Sequence, residues 1–219
     1  ESTYGVWLDG QRERLIFSWE QARRISEAGH EIGSHSASHI DFTDPHRSVD
    51  KELRSSRDSI LRHIPETAPG MSFSWPYWRS SPEVEGSAQR SYIAARSGSG
   101  QYESYAKECC SEESRSTIEE YRIPALAFLP SFANELIEKA GRMAVENEGW
   151  FLINLHGIVD EKIDSRALGW APIEVGRLRQ FLDFIEREDF WIAPFGEVLR
   201  YRRERRSAEL KLLFSSEES

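Results

Sequence analysis

The clearest chemical signal in the sequence is Gly29-His30-Glu31-Ile32-Gly33-Ser34-His35-Ser36-Ala37-Ser38-His39. His35 and His39 stand four residues apart at the end of a short run that reads as a strand. A strand end holds its last side chain rigidly, and the turn that follows can return a second imidazole to the same point. Two neutral imidazoles meeting there are donors for a divalent transition metal, zinc above all. The spacing alone is equally compatible with two surface histidines in a polar turn. A third histidine, His156, closes the apolar run Phe151-Leu152-Ile153-Asn154-Leu155, with Gly157 beside it leaving room for a ligand. It reads as a general acid or a third ligand rather than as a satisfied core imidazole. Phe73-Ser74-Trp75-Pro76-Tyr77-Trp78 gathers aromatics around a proline, and Gly169-Trp170-Ala171-Pro172 does so again. Aromatics anchored by proline at a loop mouth build walls for sugar rings, although core packing explains them as well.

These residues need rigid elements behind them. Glu20 to Ala28 has apolar residues at helical spacing and Gly29 as a stop, which predicts a helix. A strand is expected from His30 to Ser34, and a polar helix from Pro45 to His63. Short strands follow at Met71 to Trp75 and Ser91 to Arg96, and Gly98 to Glu120 reads as a long surface loop. Ala133 to Glu146 predicts a helix, and Trp150 to Leu155 a buried strand. Ile173 to Arg187 is amphipathic, with Val175, Leu178, Leu182 and Ile185 on one face. Phe190 to Ala193 is strand-like, and Gly196 to Arg206 predicts a basic helix. This alternation predicts an α/β fold, a parallel sheet or barrel with helices outside. In such folds the working residues lie at the C-terminal strand ends, where His35, Trp75 and His156 all fall.

A chain of 219 residues suffices for one large α/β domain or two small ones. Its net charge of -9 argues against nucleic acid or an anionic membrane as partner. No apolar run approaches the ~20 residues of a membrane span. Cys109 and Cys110 are adjacent and are the only cysteines, so a disulfide framework is excluded and two loop thiols are expected.

In combination these segments resemble the polysaccharide deacetylases, the NodB-homology domains of carbohydrate esterase family 4. Trp19-Glu20-Gln21 through His35 and His39 looks like the second motif of that family. Ser74-Trp75-Pro76-Tyr77 resembles the third motif and Leu152 to His156 the fifth. Tyr92 to Ser97, Gly169 to Ile173, and Phe195-Gly196-Glu197-Val198 with Tyr201 and Arg205 fit one branch of it. The resemblance implies a distorted (β/α) barrel and a metal-dependent hydrolase that removes N- or O-linked acetyl groups from a carbohydrate. It implies that His35 and His39 hold a divalent metal, zinc first, that His156 protonates the leaving group, and that Trp75, Pro76, Tyr77 and Trp170 contact the substrate. Export or a cell-envelope location is also implied.

Two departures accompany the resemblance. Ser74 stands where the third motif has an arginine, and the Asp-Asp-Gly of the first motif occurs nowhere in the chain. Asp9-Gly10 is a partial look-alike, too close to His35 for a helix and a strand to intervene. Thr3 to Trp7 reads instead as the second strand of the fold. The whole chain is therefore expected to be one deacetylase-like domain lacking about forty N-terminal residues. Asp41 and Asp44 are weaker substitutes for the missing carboxylate. A carbohydrate-binding module without catalysis and an amidohydrolase acting on a small non-sugar substrate are the alternatives.

Overall fold

Ser18 and Gln21 open the first helix by capping each other. The Ser18 hydroxyl accepts from the Gln21 amide at 3.2 Å, and the Gln21 side chain accepts from the Ser18 amide at 2.9 Å. This box satisfies two donors that a helix start leaves free. The computed structural model describes residues 4–9, 12–98, 101–103, 105–106, 119–160 and 170–209. Its elements are β1 (Tyr4–Asp9), β2 (Arg12–Phe17), α1 (Trp19–Glu27), α2 (Val49–His63), β3 (Phe73–Ser74), α3 (Pro82–Ala88) and β4 (Ala95–Arg96). They continue as β5 (Leu126–Ala127), α4 (Asn134–Glu146), β6 (Ile153–Asn154), β7 (Ile158–Val159), β8 (Ile173–Glu174), α5 (Val175–Arg187) and α6 (Phe195–Ser207).

Five segments pair in parallel, each with the next in sequence. Ser34 bridges Phe73, β3 pairs with β4, Arg96 bridges Ile123, and β5, three residues on, pairs with β6. Helices α2, α3 and α4 occupy three of the connections, so the chain is mixed α/β as expected. The closed barrel is not found: among the described residues nothing pairs Ser34 back to β6, and β7 with β8 forms a separate parallel pair. The expected strand from His30 to Ser34 reduces to the single bridge at Ser34.

The N-terminal expectation is corrected. The segment expected as the second strand of the fold is β1, which pairs antiparallel with β2 from Tyr4↔Phe17 to Asp9↔Arg12 and stays outside the parallel ladder. Two residues beginning with a glycine between two strand-forming runs are a local hairpin signal, and here local pairing wins over a crossover. Phe190 to Ala193 forms no strand; Phe190 packs onto the apolar core while Trp191 and Ile192 stay exposed. Cys109, Cys110 and most of the 98–120 loop lie outside the described residues.

Three apolar clusters pack around the ladder among the described residues, the smallest of them Ala94, Ile123, Trp150 and Leu199; the other two are larger. One packs Phe42, Leu53, Ile60, Phe73, Trp75 and Tyr92 beneath α2. The other joins α4 to α5 through Ile137, Ala140, Phe181, Phe184 and Ile185. The inward face of α5 is therefore Leu178, Phe181, Phe184 and Ile185, whereas the expected face member Leu182 is 52% exposed. The aromatic side chains cover more apolar area than the aliphatic stripe and set the rotation of the helix. Gly141 lets α4 approach α5 closely, since a Cβ there would meet the Phe184 ring at 2.8 Å and Phe151 at 3.1 Å. Gly141→Val should lower stability by about 2 kcal/mol through overpacking, read as a lower urea midpoint at unchanged slope.

Candidate functional site

His35 follows the bridge residue Ser34 directly, so the ladder fixes its backbone. Its Nδ1–H donates to the Ser74 carbonyl at 2.7 Å. A carbonyl only accepts, so this bond assigns the proton to Nδ1 and leaves the Nε2 lone pair for a ligand. The turn after His35 is held from α2: the Glu52 carboxylate accepts from the Ala37 and Ser38 amides at 3.0 and 2.8 Å and from the Ser38 hydroxyl at 2.7 Å. Ser36 and His39 both adopt positive φ, 71° and 54°, and the His39 amide donates to Ser36 Oγ at 2.8 Å. This tight turn swings His39 back, so the two rings lie with centroids 4.8 Å apart.

The aromatic segment after β3 divides in two. Trp75 is fully buried, in edge contact with Phe73 and Phe42, and its indole N–H donates to the Tyr121 carbonyl at 2.7 Å. A side chain with no accessible surface cannot touch a sugar, so Trp75 belongs to the core and not to a pocket wall. Pro76 is buried as well. Tyr77 and Trp78 follow with φ of 54° and 59°, two left-handed residues in succession that reverse the chain and turn Tyr77 outward. Tyr77 is 57% exposed and lies edge-on to His39, centroids 4.8 Å apart. Trp78 rests on Gly98, where any Cβ would meet its indole nitrogen at 2.5 Å. Its ring reaches Trp170 at 6.0 Å, and Trp170, 55% exposed, stands edge-on to His156 at 4.7 Å.

Two chains of rings, His35–His39–Tyr77 and His156–Trp170–Trp78, thus meet at the adjacent residues Tyr77 and Trp78. They enclose one mouth at the C-terminal ends of the parallel segments. Beside His39 opens a polar cavity of about 420 Å³, lined by Ile40, Asp41, Asp44, Arg47, Tyr77 and Arg79 among others. The sequence reading omitted Trp78, Glu52 and Arg96. Trp78 had a signal in its place within the aromatic segment and Arg96 in the Tyr92 to Ser97 segment, whereas Glu52 lies apart from the motifs in sequence.

Desolvation by the surrounding side chains lowers the His35 imidazole to about 4, against an ordinary 6.5, while its edge stays open to solvent; the Ser74 carbonyl opposes the shift and charge on His39, Arg96 and His156 adds to it. His156 is also lowered, by burial first and then by Arg96 and His39. Both rings are neutral at pH 7, the form that coordinates a metal. In metal-free protein the unfolded chain binds these protons near pH 6.5 and the folded chain does not until about pH 4 at His35. Stability is therefore complete above that window and falls as pH drops through it. Urea midpoints should be lower at pH 4.5 than at pH 7.5, with a smaller difference in His35→Asn.

The imidazole pair fits a zinc-type ion in donor chemistry and separation, and His35 in tautomer, since two tetrahedral imidazole ligands place their ring centroids about 5 Å apart. Among the described residues no group of three or more His, Cys, Asp or Glu could hold one ion. Asp41 and Asp44 do not complete the site. Asp41 binds Arg79 at 2.7 Å and the Thr43 hydroxyl at 2.6 Å, and Asp44 pairs with Arg47 at 3.4 Å. No described helix is long and apolar enough to cross a membrane.

Comparison with known proteins adds a family. The family model described as polysaccharide deacetylase matches residues 4–93, the stretch that carries His35, His39 and Tyr77. No curated protein matches the chain. Among solved structures, a polysaccharide deacetylase from Bacillus cereus is similar at 16% identity and a TM-score of 0.36, covering 43% of this chain and 28% of that one. Over residues 4–93 the chain is therefore similar to the polysaccharide deacetylase family.

Proposed function

We propose that the mouth removes acetyl groups from a carbohydrate and that His35 and His39 hold a divalent cation there, with zinc the ion of choice. The observation that carries this reading is the meeting of the imidazole pair, the exposed Tyr77 ring and the His156–Trp170 pair at one set of strand ends. A bound cation supplies Lewis acidity, polarising an acetyl carbonyl and lowering the pKa of water. The chain's own residues do the rest. The Ser74 carbonyl and the Glu52-anchored turn orient the two imidazoles. His156, neutral at rest, takes the proton that the attacking water gives up and passes it to the departing sugar nitrogen or oxygen. Trp170 packs against His156 and, with Tyr77, offers exposed ring faces to the sugar. The neighbouring cavity has the size of a small-ligand site and side chains that can bind sugar hydroxyls. The sequential parallel order is that of a β/α barrel, and we take a deacetylase-type barrel to be the parent architecture.

Acetate release from acetylated chitooligosaccharide and acetylated xylan tests this reading. Zinc-dependent release from one of them is the expected result. A zinc-loaded protein that releases acetate from neither overturns it.

A further inference from the structure

A groove of about 890 Å³ opens at the end of the ladder away from the mouth: Trp150 lines it ahead of β6, whereas His156 follows β6. Its buried lining is Trp150, Phe181 and Ile185. Val145, Leu182, Trp191, Ile192 and Tyr201 also line it, and they are five of the eleven large hydrophobic side chains left exposed among the described residues. Trp191 and Tyr201 meet edge-on, ring centroids 5.0 Å apart. Exposed apolar residues scattered singly need no cause, but a gathered set of this kind marks a surface that something covers.

The sequence that follows α6 supplies the cover. α6 forms one wall of the groove from Phe195 to Arg206 and is the last of the described elements. The Ser207 hydroxyl turns back to the Arg203 and Glu204 carbonyls, and the chain leaves through Ala208 in an extended conformation, φ -74° and ψ 124°. Beyond Glu209 the sequence reads Leu210-Lys211-Leu212-Leu213-Phe214 before turning polar at Ser215. Four of those five residues are large and apolar, and Glu148 and Asp189 on the groove offer carboxylates to the one charge among them, Lys211. The lengths agree. Five extended residues span about 16 Å, and the α6 wall, rising about 1.5 Å per residue, is as long. Only Ala208 and Glu209 separate helix from segment, so bringing the two together closes a short loop at little entropic cost.

We propose that Leu210 to Phe214 folds back along α6 and fills this groove within the same chain, covering Trp191 and Ile192 and fastening α6 to α5. Burial of apolar area on both partners drives the docking.

Photocrosslinking in the full chain tests it, with Phe214 replaced by p-benzoylphenylalanine. Irradiation should join residue 214 to Leu182, Trp191, Ile192 or Tyr201 of its own chain, in a yield independent of protein concentration. Adducts joining two chains would make a second copy the occupant and overturn the proposal. Adducts elsewhere on the chain, or none, overturn it as well. Thermal melting gives a separate readout. Phe214→Ser and Leu182→Ala should each lower Tm by roughly 2–4 °C, and the double variant should fall by less than the sum, because both substitutions remove one shared contact. Unchanged melting of Phe214→Ser, or simple additivity of the two shifts, is the contrary result.

Discussion

In zinc-loaded protein, His156→Ala should retain the metal while losing about 10²- to 10⁴-fold in turnover, the usual contribution of a positioned proton donor. His35→Ala should lose both metal and turnover. The contrast follows from what each ring touches. His35 has its Nδ1–H fixed on the Ser74 carbonyl and its ring beside His39, so its free nitrogen belongs to the pair. His156 stands across the mouth in edge contact with Trp170. Equilibrium dialysis with zinc, run beside acetate release, separates the two roles. Loss of zinc from His156→Ala would make that ring a ligand rather than a proton donor.

The second large effect is on stability. Trp75→Ala should destabilise the protein by about 3–5 kcal/mol, the cost of emptying a buried aromatic site. The indole has no exposed surface, its ring meets Phe73 and Phe42 edge-on, and its N–H satisfies the Tyr121 carbonyl. Removing it opens a cavity in the cluster under α2 and leaves that carbonyl without its donor. Tyr77→Ala, two residues on, removes an exposed ring and should leave the urea midpoint nearly unchanged while raising KM. A substrate effect without a stability effect at Trp75 would return that residue to the pocket.

These neighbours show how far the sequence could be read. The aromatic segment was visible, but its division into core and mouth was not. That division depends on a reversal at two non-glycine residues with φ of 54° and 59°, which no periodicity announces. The α5 face shows the same limit: of the expected stripe Leu178 and Ile185 face inward as read, whereas packing leaves Leu182 exposed and brings in Phe181 and Phe184, the latter against Gly141. The N-terminal segment read correctly as a strand, yet its partner proved to be its neighbour β2.

The sequence by itself determined the elements and the pair of imidazoles, because helix caps, strand ends and a four-residue spacing are local properties of the chain. It also determined the absence of an Asp-Asp-Gly step. Only the tertiary structure decided that His156 comes near enough to His35 and His39 to act on them electrostatically, that Glu52 braces the turn after His35, and that Arg96 lies near His35 and His156. Those relations join residues dozens of positions apart. They arise from register in the parallel ladder, where a shift of one residue would turn every one of these side chains to the other face.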